Sequence, residues 1–259
     1  MSGLNQDQKK SKPTLSSGTL KEIFDMQVGA ALPDPKKQSH LLPLFFQIDR
    51  PSTAELLLTL DFSDLEDILK HFLPSLSAED FVEAKKKSIA HAFLSGLTQY
   101  QKKENALITQ TYVKKILDMQ VGTASSKAQQ PESILRLFFK VDIEKTKNLL
   151  FQALSSNYLA DTIIQLLQSV TAEELSEKRD HKMSIAEAIL AGLAENPMSI
   201  KLFTLKILET PLTIQGKEVT TFQQFVKTNL LNTLKLLFCL KDKNDQYYAE
   251  MKAFLKKQS

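Results

Sequence analysis

The side chains able to do chemistry are few and dispersed in this chain of 259 residues. Its four histidines are His40, His71, His91 and His181, and its one cysteine is Cys239. Metal binding and nucleophilic catalysis need such groups at fixed spacings, and no HExxH, GxSxG, Walker-type or DxDxDG run occurs. Cys239, inside LKLLFCLK, reads as an inert buried thiol. A lone cysteine also excludes an intramolecular disulfide and an all-cysteine zinc site, which fits a reducing compartment. Catalytic, metal-binding and cofactor-binding residues are therefore assigned to none, and no cofactor is expected. An enzyme built only from dispersed Asp, Glu and Lys stays open as an alternative.

What draws a functional reading instead is a run that occurs twice. DMQVG supplies Asp25, Met26, Gln27 and Gly29, and again Asp118, Met119, Gln120 and Gly122. Each glycine stands where a helix would end, and a glycine there takes the left-handed conformation without steric cost. The two methionines are expected to fill gaps in the core. The aspartates oppose the helix dipole, so each should have a partner within its own unit, a backbone amide or a lysine of a packed helix. These positions are candidate signature residues with a structural role. A second candidate is the triplet Lys85, Lys86 and Lys87, a basic patch that would suit an anionic lipid surface, although a solvated helix face explains it more simply.

The repeated run belongs to a longer internal match. KEIFDMQVGAA at 21–31 recurs as KKILDMQVGTA at 114–124, a shift of 93 with 8 of 11 residues identical. At the same shift LLPLFFQIDR at 41–50 meets ILRLFFKVDI at 134–143. SLSAEDF at 75–81 matches SVTAEEL at 169–175, and SIAHAFLSGL at 88–97 matches SIAEAILAGL at 184–193. No histidine is kept in both copies: His40 aligns with Ser133, His71 with Gln165 and His91 with Glu187. A fainter echo places LKLLFCLKD (234–242) against LRLFFKVD (135–142), and LKIL (205–208) against KKIL (114–117), while ETPLTIQGKEVTTFQQF does not continue the match.

Those blocks must be carried by helices. Capping-box spacings open at Thr19, Ser52, Ser63, Ser77, Thr171 and Thr221, and the apolar residues between them recur at helical period, as in Leu65, Ile68, Leu69, Phe72. The unit is expected to hold about five helices, at 19–29, 40–48, 52–61, 63–74 and 77–99. Only Leu212 to Val219, around Gly216, has the pattern of a short hairpin. The paired phenylalanines of LPLFFQID and LRLFFKVD are read as core, and Asp142 as the cap of the following helix. The ladders Ser88, Ala90, Ala92, Ser95, Gly96 and Ser184, Ala186, Ala188, Ala191, Gly192 permit close approach of helices. The fold expected is all-α: a disordered tail at 1–18, repeat units at 19–113 and 114–210, and a helical C-terminal cap or truncated third unit at 211–259.

Composition narrows the function classes. With 42 % apolar and 24 % charged residues the chain can build a large core. Seven glycines leave little material for phosphate-cradling loops. The net charge is +3, but only Arg50, Arg136 and Arg179 among 33 basic residues are arginine, so nucleic acid is not the expected partner. No apolar stretch has the length of a membrane span, and the polar first eighteen residues carry neither a signal peptide nor a lipidation motif. A cytoplasmic location follows as the expectation. Extended helical surfaces without catalytic motifs suit a non-enzymatic protein that binds another protein. The alternatives are a hydrolase or transferase with its site between the repeats, and an anionic-lipid binder. The lysine-, glutamine- and leucine-rich, tryptophan-free composition resembles that of effector proteins that intracellular bacteria inject into host cells, which implies action in a host cytosol and carries over no residue roles.

Overall fold

The computed structural model describes residues 16–28, 39–83, 87–103, 106–122, 131–178 and 183–195, and beyond these 207, 210–214, 217–221, 224–225, 252–253 and 256. The described residues are mostly helical, with three two-stranded antiparallel pairs. They divide into two compact units, 1–72 and 73–259.

The first unit runs α1 (Ser17–Asp25), β1 (Gln27–Val28), β2 (Ser39–His40), α2 (Leu41–Ile48), α3 (Arg50–Leu57) and α4 (Phe62–Phe72). Two of its caps sit three residues earlier than the spacing suggests. Ser16, not Thr19, caps α1, and Asp49, not Ser52, caps α3 by accepting from both the amide and the hydroxyl of Ser52. Because both donors of Ser52 are taken by the Asp49 carboxylate, Ser52 lies inside the first turn of α3 and does not cap it. Helix α1 packs on α4 and α2, burying Leu20, Phe24, Leu42, Phe46, Leu65, Leu69 and Phe72. The rings of Phe46 and Phe72 stack at 5.2 Å, and Phe24 meets Phe45 edge-on at 5.9 Å. At the rim Ser17 donates to Asp64, and Lys21 bridges Asp64 and Asp67.

The second unit opens with a 3-10 turn, Leu73–Ser75, and continues with α5 (Ala78–Val82), α6 (Ile89–Lys103), α7 (Ala106–Leu117), β3 (Gln120–Val121), β4 (Glu132–Ser133), α8 (Ile134–Val141), α9 (Ile143–Ala153), α10 (Ser156–Ser169), α11 (Ala172–Ser176), α12 (Ile185–Glu195), β5 (Pro211–Ile214) and β6 (Lys217–Thr220). Thr171 and Glu174 close a full capping box on α11, and Asp142 caps α9 as its sequence suggests. The single helix expected at 77–99 is two helices. Ser88 ends the break by accepting from the His91 amide; Ser184 does the same for Glu187, whose carboxylate returns the bond to the Ser184 amide. These serines are helix starts, a role the small-residue reading missed. Further along α12, Gly192 lies against the ring of Phe151 on α9, where a Cβ would stand 2.2 Å from Cε2. That glycine is a contact point between helices, as read.

The hairpin expected near Leu212 is present as β5 and β6, in register Leu212 with Val219. The pairs β1–β2 and β3–β4 have no strand pattern in the sequence. Two residues per strand are too few to show a period of two.

Candidate functional site

The DMQVG run sits where one helix hands over to the next. Helix α1 ends at Asp25 and α7 at Leu117, so Gln27 and Gln120 lie in strands and not in the helix expected over 19–29 or its copy. Gln27 pairs with His40 and Gln120 with Ser133. Each methionine uses both of its peptide groups. The Met26 amide donates to the Ile23 carbonyl at 3.3 Å, and its carbonyl accepts from the Leu41 amide at 3.0 Å. The Met119 amide donates to Ile116 at 3.1 Å, and its carbonyl accepts from Ile134 at 3.1 Å. Helix ends leave carbonyls unpaired and helix starts leave amides unpaired; one extended residue satisfies one of each.

The same joint occurs a third time, where the sequence match fails. The Thr210 amide donates to the Ile207 carbonyl at 3.2 Å, and the Thr221 amide donates to the Thr210 carbonyl at 2.9 Å. Pro211 pairs with Thr220 directly beyond, as Gln120 pairs with Ser133. Thr221 is again helical and the ring of Phe225 is buried, as is that of Phe138 four residues into α8. The signal was the KIL run shared by 115–117 and 206–208. Sequence comparison lost the match past it because this joint is made by backbone groups, which any residue supplies.

The side chains of the joint differ from what the sequence suggested. Met26 is 53 % exposed and Met119 half-buried, so neither serves as a core gap-filler. Gly122 does have positive φ, +91°, but it lies past β3, five residues after α7 ends, and so is not a helix C′ residue. Its amide donates to the Leu73 carbonyl at 3.1 Å, tying the hairpin to the 3-10 turn. A Cβ there would meet nothing nearer than 3.7 Å, so conformation rather than space calls for glycine. Asp118 pairs with Lys114 one turn back on its own helix, not with a packed neighbour. Asp25 is exposed. Gly29, Lys85, Lys86, His181 and Cys239 lie outside the described residues; Lys87 is exposed.

Two polar clusters stand near α8 and α9. Arg136 and Lys140 on α8 both reach Glu132, and Arg136 also binds Glu174 of α11 at 2.6 Å. Burial alone would raise the Glu174 pKa, but the hydrogen bonds from Arg136 and from the Thr171 amide outweigh it and hold the carboxyl below its usual value. Lys145 on α9 reaches Ser95 at 3.1 Å and His91 Nε2 at 3.3 Å, both on α6. Lys145 Nζ donates to Ser95 Oγ, so these contacts cross-link α6 and α9. Burial pushes the phenol of Tyr112, stacked on Tyr100 at 4.7 Å, well above its usual range.

Among the described residues no group of three or more His, Cys, Asp or Glu is placed to hold a metal ion, and no helix is long and apolar enough to cross a membrane. Compared with family models, curated proteins and solved structures, the chain matches none of them.

Proposed function

We propose that this is a non-enzymatic tandem-repeat protein that binds another protein through its helical units, with copies at 19–113 and 114–210 and a truncated third unit at 211–259 entered through the joint at Thr210. The observation that carries the repeat reading is the joint itself: the same two backbone hydrogen bonds and the same hairpin register at Met26, Met119 and Thr210. The order helix, hairpin, then five helices of which the fourth has five residues is common to 17–103 and 106–195. Units of this kind build extended faces with no need of catalytic groups, which is why protein binding is the favoured activity. Action inside a host cell is a reading that rests on composition alone.

The test is affinity capture with the full chain under gentle conditions, identification of captured proteins by mass spectrometry, and reconstitution from purified components. A complex that re-forms with micromolar or tighter affinity is the expected result. Failure of every captured protein to re-form a complex when purified would overturn the reading.

A further inference from the structure

The internal match aligns 75–81 with 169–175 and 88–97 with 184–193, so α11 and α12 stand where α5 and α6 stand, and each five-residue helix packs on the longer one after it. Helix α5 also packs on α8, where the Phe81 ring lies 6.4 Å from that of Phe138. On α11 the place of Phe81 is taken by Leu175, and the place of Phe138 by Phe225, four residues past the start of the joint helix at Thr221; all four side chains are fully buried. Thr221, Gln224 and Phe225 are helical, and the side-chain amide of Gln224 donates to the Ser176 hydroxyl of α11. Counted from the same anchors, Ser176 answers to Val82 and Gln224 to Leu137. Exposure follows the same correspondence, since Val82 and Ser176 are half-buried while Leu137 is 0 % and Gln224 8 % exposed. Two residues 48 positions apart in the chain therefore change from apolar to polar together.

We propose that Ser176 and Gln224 are a docking key: they make α11 the seat of the helical segment that opens at Thr221 and keep α8 out of that seat, while Val82 and Leu137 hold α8 on α5. This rests on the truncated third unit proposed above and assigns the surface on which it sits. A chain that carries two versions of one helix pair, and two versions of the helix that packs on it, can join them crosswise, the characteristic misassembly of repeat proteins. In this chain crosswise pairing would bury the Gln224 amide against Val82 and set Leu137 against the Ser176 hydroxyl. A buried amide stripped of its partner keeps its full desolvation cost, whereas an aliphatic pair has no polar group to lose. One polar pair within an otherwise apolar contact is enough to fix register and choice of partner.

The test takes the full chain with Ser176→Val, with Gln224→Leu and with both changes, and follows hydrogen–deuterium exchange by mass spectrometry before and after refolding from urea. Each single change is expected to speed exchange of α11, residues 172–176, by at least about threefold, the loss of one hydrogen bond. The double change is expected to restore the original rate, because the pair then matches the apolar one of α5 and α8. Additive effects of the two single changes would overturn the contact. After refolding, the unaltered chain is expected to return to one exchange population. The double variant, with its two seats alike, is expected to give a second population in which α5, residues 78–82, exchanges fast. One population from the double variant would overturn the key and leave the pair an ordinary hydrogen bond. Fast exchange at Thr221 in the unaltered chain would instead overturn the third unit, and protein binding is read separately, by capture.

Discussion

The pairs α2–α3 and α8–α9 are built alike and buried differently. In both, the inward stripe is sealed: Leu42 and Leu135 are each 2 % exposed, and Phe46 and Phe139 each 1 %. In both, an aspartate between the helices caps the second one, and a threonine hydroxyl bonds back to the aspartate carbonyl at 2.6 Å. The outer stripe separates them, since Phe138 is fully buried and Phe45 is not. Inward packing is thus a property of the unit, and outward packing a property of whatever comes to lie against it. A buried phenylalanine and a half-buried one at matched positions allow the two contributions to be weighed in one molecule.

The largest expected contrast is at those rings. Phe138→Ala should cost about 3–5 kcal/mol in urea unfolding, the usual loss for a fully buried phenylalanine, and Phe45→Ala about half as much. Equal costs would mean that the outer stripe of α2 is covered in solution. Next comes Gly192→Val, expected to destabilise by about 2 kcal/mol because the Phe151 ring would have to leave its place on the helix. An unchanged melting temperature would show that the close approach of α12 to α9 is unimportant.

Smaller effects test polar groups beside the same helices. The Glu174 carboxyl is held below its ordinary value of 4.5, so its contribution is fully present above that pH and fades as pH falls through the lowered folded value. Arg136→Met should therefore lower stability at pH 7 and flatten its decline between about pH 5 and 3, followed by thermal melts across that window. The Thr162 hydroxyl is buried with no hydrogen-bond partner among the described residues, and the residue aligned with it in the internal sequence match is Ile68. Thr162→Val should stabilise by about 1 kcal/mol, the cost of an unsatisfied buried hydroxyl. Last, amide exchange of Leu41, Ile134 and Thr221 should show protection at all three joints, and rapid exchange at Thr221 alone would overturn the proposed third unit.

Most of the helical content was legible because apolar periodicity and caps are local. The helix expected at 40–48 is α2 within a residue, and 63–74 is α4 within two. The break between α5 and α6 was not legible, since Ser88 fits a packing ladder and a cap equally well until its hydroxyl is seen to accept from His91. The hairpins at Gln27 and Gln120 were hidden by helix-like neighbours. The third joint was hidden for a deeper reason: main-chain hydrogen bonds tie Thr210 to Ile207 and Thr221, and they leave no residue type to recognise.

The two-unit division at 72/73 does not follow the copies in the sequence. Helices α5 and α6 pack on α8 and α9, although the internal match places them in different blocks. Sequence by itself determined that this chain makes amphipathic helices in a recurring order, because helix formation and capping depend on residues within a few positions of one another. Tertiary structure alone decided that Phe138 is sealed while Phe45 is half-open, that Met26 is exposed, and that Thr210 repeats the joint of Met119. Those outcomes depend on contacts between distant segments and on backbone groups common to every residue, and neither is written in side-chain type.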